Sequence, residues 1–340
     1  MWLIDFKKLE KYDISKMYEI YDKWPDMAKD AYYNKYTPKN IGKISHIVFI
    51  GMGGSGAIGD IFDSILSKTN IHVTVIKGYS IPNTVNNQTL VIPMSVSGNT
   101  DETLVCLQSA IKTDAKVLAF SSGGKIKEFA EKNNIEYIQI PMIHSPRASF
   151  SIFLFSMLKI LELVLPISET EIIEAINMMK KTKELIFSKN LTDDNPALEL
   201  ARFIDKIPMI YYPFGLGSAA IRFKNSLQEN AKIHAMAEDV IEACHNGIVS
   251  WEEKNHVKPI LIEGEDDHIK TKERWLILKE FFELNSVEYI EIKSVKGGIL
   301  SKIINLIYLL DYTSIYLAIL RKTNPTTITA IEFVKDKMWY

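Results

Sequence analysis

Cysteine is nearly absent from this chain. Of 340 residues only Cys106 and Cys244 are cysteines, far apart and without the spacing of metal ligands. That excludes a disulfide scaffold and a thiolate zinc site, and it suits a reducing compartment. An excess of basic charge is missing too: 40 Lys and Arg stand against 42 Asp and Glu, for a net charge of −2. Nothing in that balance attracts a nucleic acid. The N-terminal run Met-Trp-Leu-Ile meets charge at Asp5, Lys7 and Lys8, too soon for a secretory signal. The longest apolar stretch, Ile303 to Leu320, carries Asp311 near its middle and has no second span to accompany it. A carboxylate there is costly in lipid, so a buried core helix is expected and no membrane crossing. The expectation is a soluble, cytoplasmic protein.

What the sequence has is alternation. From Ile44 onward, short apolar strands alternate with amphipathic helices: strands at His46–Ile50, His72–Ile76, Thr89–Met94, Lys116–Phe120 and Ile135–Ile140, with helices at Ala57–Ser67 and Ile126–Lys132. Such strands, apolar on both faces, predict an α/β fold with a parallel sheet covered by helices on each side. Residues 1–43 read as a helical arm, broken at Pro25 and Pro38, that packs on the first domain. The first α/β domain is expected over 44–155 and a helical connector over 156–200. A second α/β domain with a C-terminal helical segment is expected over 201–340. Within the second, Pro208–Tyr212 leads into the glycine loop Phe214–Ser218 and a helix over Ala219–His234. Placing Ser218 on Ser55 superposes Gly217 on Gly54, Ala220 on Ala57 and Ile221 on Ile58, a weak repeat consistent with duplication.

Three segments carry chemistry. Ser95-Val-Ser-Gly-Asn-Thr100 lies between a strand and a helix, where unpaired amides, short hydroxyls and the positive helix end suit a phosphate. The plain alternative is a Thr100 N-cap on an ordinary loop. In the repeat, the matching loop is Glu263-Gly-Glu-Asp-Asp267, whose carboxylates would repel a phosphate, so only the first domain should bind one. Gly51-Met-Gly-Gly-Ser-Gly56 fits the dinucleotide fingerprint, but the next strand ends at Lys77-Gly78 with no acid for a ribose. A dehydrogenase is therefore disfavoured, and the glycines are expected to let a substrate approach the backbone, with Ser55 adding a hydroxyl. Arg147 follows a strand end on the same edge, where an anion or a developing enolate could face it, although a surface Arg is the plain reading. Glu229 and His245 supply the carboxylate and imidazole that ring opening and C1–C2 proton transfer of a sugar require. Cys244 sits beside His245, but chain neighbours rarely face each other.

Taken in order, the Gly-Gly-Ser-Gly loop, Ser-Val-Ser-Gly-Asn-Thr, Pro146-Arg147, Glu229-Asn-Ala-Lys232, His245-Asn246 and the tail Asn324-Pro-Thr-Thr through Ile331-Glu-Phe-Val-Lys335 resemble the bifunctional phosphoglucose/phosphomannose isomerases. That family is built from two sugar-isomerase (SIS) domains, and the resemblance runs from about Ile44 to the C-terminus. It implies that Gly54, Ser55, Ser95, Ser97 and Thr100 hold the phosphate and its loop, and that Arg147 steadies a cis-enediolate. Glu229 would be the base, His245 the ring-opening residue and Lys335 a second ring-opening or positioning group. It implies no metal or cofactor, and a homodimer in which the histidine enters from the partner subunit. Mannose 6-phosphate activity is linked in the family to a C-terminal Thr, and Thr326, Thr327 and Thr329 all qualify. The rival from another class is an SIS sugar-phosphate regulator, which needs the hydroxyl loop but neither base nor imidazole. Regulators usually append a DNA-binding domain, and the first forty residues lack the basic charge for one.

Overall fold

The carboxylate of Asp5 accepts from the Lys8 amide at 2.8 Å and so starts the first helix of the chain. The computed structural model describes residues 4–33 and 35–338; residues 1–3, 34 and 339–340 of the expected arm and second domain lie outside it. The arm holds α1 (Phe6–Tyr12), α2 (Met17–Asp22) and α3 (Trp24–Tyr33). The first sheet follows with β1 (His46–Ile50), α4 (Gly53–Leu66), β2 (His72–Ile76), β3 (Thr89–Ser95), α5 (Asp101–Ala110), β4 (Lys116–Ser121), α6 (Gly124–Lys132) and β5 (Glu136–Gln139). Its strands are all parallel, in the order β2-β1-β3-β4-β5. Strand β3 is buried along its whole length, as the unbroken apolar run requires.

Three helices, α7 (Phe150–Ile160), α8 (Glu169–Ile186) and α9 (Pro196–Phe203), lead to the second sheet. Ser168 and Glu171 form a reciprocal capping box that fixes where α8 begins. The second unit holds β6 (Ile207–Tyr212), α10 (Gly217–Ser226), a π-helical turn (Leu227–Ala231), β7 (Met236–Asp239), α11 (Val240–Ala243), β8 (Val257–Glu263), α12 (Ile269–Leu284), β9 (Ile290–Lys293), α13 (Ile299–Leu320) and α14 (Thr329–Lys337). Its parallel sheet runs β7-β6-β8-β9, the order of the first sheet without its last strand. The repeat seen at Ser55 and Ser218 therefore extends to the topology. Helices α4 and α10 pack together between the two sheets, with the Ser64 hydroxyl donating to that of Ser218 at 3.0 Å.

Two expectations are corrected. The predicted helix over Ala219–His234 ends in the π turn, and the unexpected strand β7 follows it. The arm does not pack on the first domain alone. Trp24 Nε1 donates to the Ala148 carbonyl at 2.9 Å, Tyr308 Oη donates to the Tyr21 carbonyl at 2.8 Å, and the Tyr21 hydroxyl donates to Asp311 at 3.1 Å. The arm thus bridges α7 and α13. The long apolar helix expected as core is α13, and it is buried from Ile303 to Ile319 apart from Leu309. Asp311 is fully buried within it and takes Arg222 Nη2 at 2.6 Å and Nε at 3.1 Å. Ser226 donates to its other oxygen at 2.7 Å.

Candidate active site

The hydroxyl loop after β3 is tied together from within. Ser95 Oγ lies 2.8 Å from Thr100 Oγ1 and 3.4 Å from Ser97 Oγ, and it accepts from the Gly98 amide at 3.0 Å. Thr100 stands at the start of α5 but its side chain caps nothing, so the ordinary N-cap alternative fails. Gly98 has φ +74°, and a Cβ there would sit 1.8 Å from the Gly123 carbonyl oxygen, so only glycine fits. Asn99 Oδ1 accepts from the Lys125 amide at 3.1 Å, which fastens the loop to the start of α6.

The glycine segment after β1 needs correction. Read as a six-residue loop, it is a two-residue turn, since α4 begins at Gly53 and takes Ser55 and Gly56 into its first turn. Ser55 Oγ then accepts from the Val96 amide at 3.2 Å. That bond draws the N-terminus of α4 beside the hydroxyl loop, and neither α4 nor α5 is capped by a side chain. An anion between them meets the positive ends of two helix dipoles. The matching loop of the second unit differs: Lys279 pairs with Glu263 at 2.5 Å, Lys296 with Glu265 at 3.5 Å and Lys302 with Asp266 at 2.7 Å. Three of its four carboxylates are thus occupied by lysines, and the fourth, Asp267, accepts from Trp275 Nε1 at 3.0 Å.

Arg147 is buried, so the surface reading of this residue fails too. Its Nε donates to Asn230 Oδ1 at 2.7 Å, its Nη1 to Glu229 Oε2 at 3.3 Å, and its Nη2 to the carbonyls of Pro325 at 2.5 Å and Thr326 at 3.1 Å. The rigid guanidinium fork thereby joins three segments distant in sequence. Gly54 lies against it, where an added Cβ would sit 3.6 Å from Arg147 Cα. Glu229 rides on the π turn, a wider coil that turns consecutive residues 229 and 230 both toward Arg147. Asn230 is fixed in turn by donating to Ser314 Oγ of α13 at 2.8 Å.

Glu229 opens onto a cavity of about 670 Å³ whose lining includes Gly53, Asn225, Lys232, Thr327 and Thr329. Of the three threonines, Thr327 and Thr329 line it, whereas Thr326 Oγ1 is buried without a hydrogen-bond partner. Lys232 follows the π turn with φ 56° and ψ 42°. Its ammonium donates to the carbonyls of Glu229 at 2.6 Å, Asn230 at 3.4 Å and Asn324 at 3.0 Å. Although the residue is exposed, partial desolvation in the site pushes its pKa down to about 8, with the like charge of Arg147 adding to the effect and Glu229 opposing it.

Within one chain, contacts link Gly54, Ser55, Ser95, Ser97, Thr100, Arg147 and Glu229 into a continuous set. His245 and Lys335 stand apart from them. His245 follows α11 in an exposed turn, where Asn246 donates to Glu242 at 2.7 Å, and it does not line the cavity. Lys335 is exposed on α14, a helix without a buried residue. Sequence reasoning missed Asn230, Lys232 and the carbonyls of Pro325 and Thr326. Both side chains stood in the Glu229–Lys232 motif, but nothing local told that Asn230 would meet Arg147. Among the described residues, no group of three His, Cys, Asp or Glu is placed to hold a metal ion.

Two parallel sheets of matching order, joined through α4 and α10 with a hydroxyl loop on the first, define a double-SIS protein. A model described as the SIS domain matches residues 40–165, and one described as the bacterial phospho-glucose isomerase C-terminal SIS domain matches 193–338. The solved C-terminal domain of glucosamine-fructose-6-phosphate aminotransferase from Francisella tularensis shares the fold, with a TM-score of 0.70 and 16% identity over 91% of this chain and 97% of that one. The bifunctional phosphoglucose/phosphomannose isomerase of Caldicellulosiruptor bescii is 32% identical over 95% of this chain and 98% of its own length. That of Aquifex aeolicus is 31% identical over 93% and 94%. The chain belongs to the bifunctional phosphoglucose/phosphomannose isomerase family.

Proposed function

We propose that this chain interconverts glucose 6-phosphate and mannose 6-phosphate with fructose 6-phosphate by aldose–ketose isomerisation. The observation that carries this reading is the Arg147–Glu229 contact at 3.3 Å, with Glu229 on the wall of a cavity that Gly53 at the start of α4 also lines. Ser55, Ser95, Ser97 and Thr100 bind the phosphate between the two uncapped helix ends. In the open-chain aldose, the Glu229 carboxylate takes the proton from C2, and the electron pair forms the C1–C2 double bond of a cis-enediolate. The buried Arg147 cation stabilises the charge that develops on the oxygens. Return of the proton to C1, with the hydroxyl proton passing from O2 to O1, gives the ketose. The runner-up, a regulator without catalysis, gives no reason to seat a carboxylate against an arginine in the cavity. The two free thiols suit the cytoplasm, where we place the reaction.

His245 reaches the site from a second copy in this reading, which its exposure and its place outside the cavity lining favour. Lys335 then serves as a second ring-opening or positioning group on α14. A coupled assay with the three sugar phosphates in EDTA tests the activity, and inactivity toward all of them would sink the proposal. Sharing of sites is tested by mixing two inactive chains, Glu229→Gln and His245→Ala. One of the two sites in each mixed dimer regains both residues, so random assortment of a two-fold dimer should restore roughly a quarter of wild-type activity. Mixed dimers that stay inactive would mean that each site is built from one chain.

The phosphate contacts exist in ground and transition states alike. The double change Ser97→Ala with Thr100→Ala should therefore raise KM on the order of tenfold while kcat changes little. Steady-state kinetics on fructose 6-phosphate decide this, and an unchanged KM would place the phosphate elsewhere.

A further inference from the structure

We propose that Lys232 is a positioning residue whose ammonium locks the turn bearing Glu229 to the 324–326 loop. An ammonium has three N–H donors, and here the carbonyls of Glu229, Asn230 and Asn324 take all of them. None is left over for a substrate, although Lys232 lines the cavity. Its role is that of a strut.

What the strut joins gives it consequence. The carbonyls next after Asn324, those of Pro325 and Thr326, receive Arg147 Nη2. Two cations thus hold the same short loop, Arg147 at Pro325 and Thr326 and Lys232 at Asn324, and both also engage residues 229 and 230. The loop then runs on into Thr327 and Thr329 of the cavity wall. Lys232 also occupies the left-handed backbone region, which glycine or asparagine would adopt at less cost. Its side chain offsets that strain by cross-linking two segments that no helix or strand connects.

The charge of the strut is within reach of titration. Arg147 and the burial of the site weaken it, Glu229 on its own turn supports it, His234 shares the cavity wall, and Arg321 donates to the Ala231 carbonyl of the same turn at 3.2 Å. Below pH 8 the ammonium fills three acceptors. Above it, a neutral amine turns a lone pair toward one carbonyl, and the clamp loosens.

The kinetic arm of the test rests on the isomerase reading, and the exchange arm does not. In Lys232→Met, kcat should fall on the order of 10²-fold through misplacement of Glu229, with KM within about threefold because the phosphate loop is untouched. Amide hydrogen exchange should quicken in residues 227–233 and 322–331 and stay unchanged in the first sheet. Lys232→Arg, which keeps a cation at all working pH values, should recover most of the loss and hold its rate above pH 8, where that of the unmodified enzyme declines. Should Lys232→Met fail to fold, Lys232→Gln replaces it in both arms. Wild-type kcat with wild-type exchange overturns the inference, and so does a loss of kcat that Lys232→Arg does not relieve. If the unmodified protein turns over none of the sugar phosphates, the isomerase reading fails alone. Exchange in the two segments then decides for or against the strut by itself.

Discussion

Glu229→Gln should lower kcat on the order of 10²–10⁴-fold for glucose, mannose and fructose 6-phosphates alike. The substituted amide still presents an oxygen to Arg147 but cannot accept a proton from carbon. Every substrate must pass through that proton transfer, so supplying a sugar already in its open form brings no relief. KM should change within about twofold, because none of the proposed phosphate contacts is made by Glu229. His245→Ala is expected to behave differently. If its work is ring opening, a substrate that cannot cyclise should be spared much of the loss. Stopped-flow turnover of cyclic and acyclic substrates by both variants separates the two roles. Near-normal rates in Glu229→Gln would move the base elsewhere, and His234, which also lines the cavity, would be the next residue to replace. Glu242 is a poor replacement: it is exposed, holds Asn246 at 2.7 Å and does not line the cavity.

The second large effect is on stability. Asp311→Ala should destabilise the fold by about 3–5 kcal/mol, since it strands the Arg222 charge in the core. Arg222 and Asp311 are 3% and 0% exposed, so solvent cannot take over for the missing partner. Tyr21 and Ser226 would each lose their acceptor as well. The double change Asp311→Leu with Arg222→Met should cost less than Asp311→Ala alone, because it removes both charges together. Denaturant midpoints of the two proteins give the comparison. Equal losses would mean that the pair acts through shape and not through charge. Arg222 also donates to the Arg147 carbonyl at 3.1 Å, so a smaller second effect on kcat should accompany the structural one.

Much of the fold was legible because its signals are local. Strand β3 is apolar at nearly every position, and the duplicated glycine turns lie at matching places ahead of α4 and α10. Asp311 was legible as out of place in lipid, though its partner Arg222 was not, since 89 residues separate them. Strand β7 escaped notice because Met-Ala-Glu-Asp has no apolar run, and an edge strand needs none. The π turn is a single wide coil, too short to leave a period in the sequence. At the site, the hydroxyl loop and Glu229 announced themselves through chemistry at one place in the chain. Asn230 and Lys232 did not, because their partners are carbonyls and an arginine brought near only by the tertiary fold. His245 was named for its imidazole and Lys335 through resemblance, and a single chain leaves both in solvent.

The arm that bridges α7 and α13 also sets an order of events. Tyr21 and Asp311 are 290 residues apart, and the aromatic stack of Tyr21 on Trp24, at 4.2 Å, extends through Tyr308 at 5.7 Å from Trp24. Contacts of such long sequence separation are slow to form, since the intervening chain must first be closed into a loop. During synthesis the arm emerges well before α13, which supplies half of its burial partner. The first sheet can assemble while Tyr18, Tyr21 and Trp24 are still waiting for α13. On the ribosome, the packing of the arm is therefore finished only once a helix some 290 residues further along has been made.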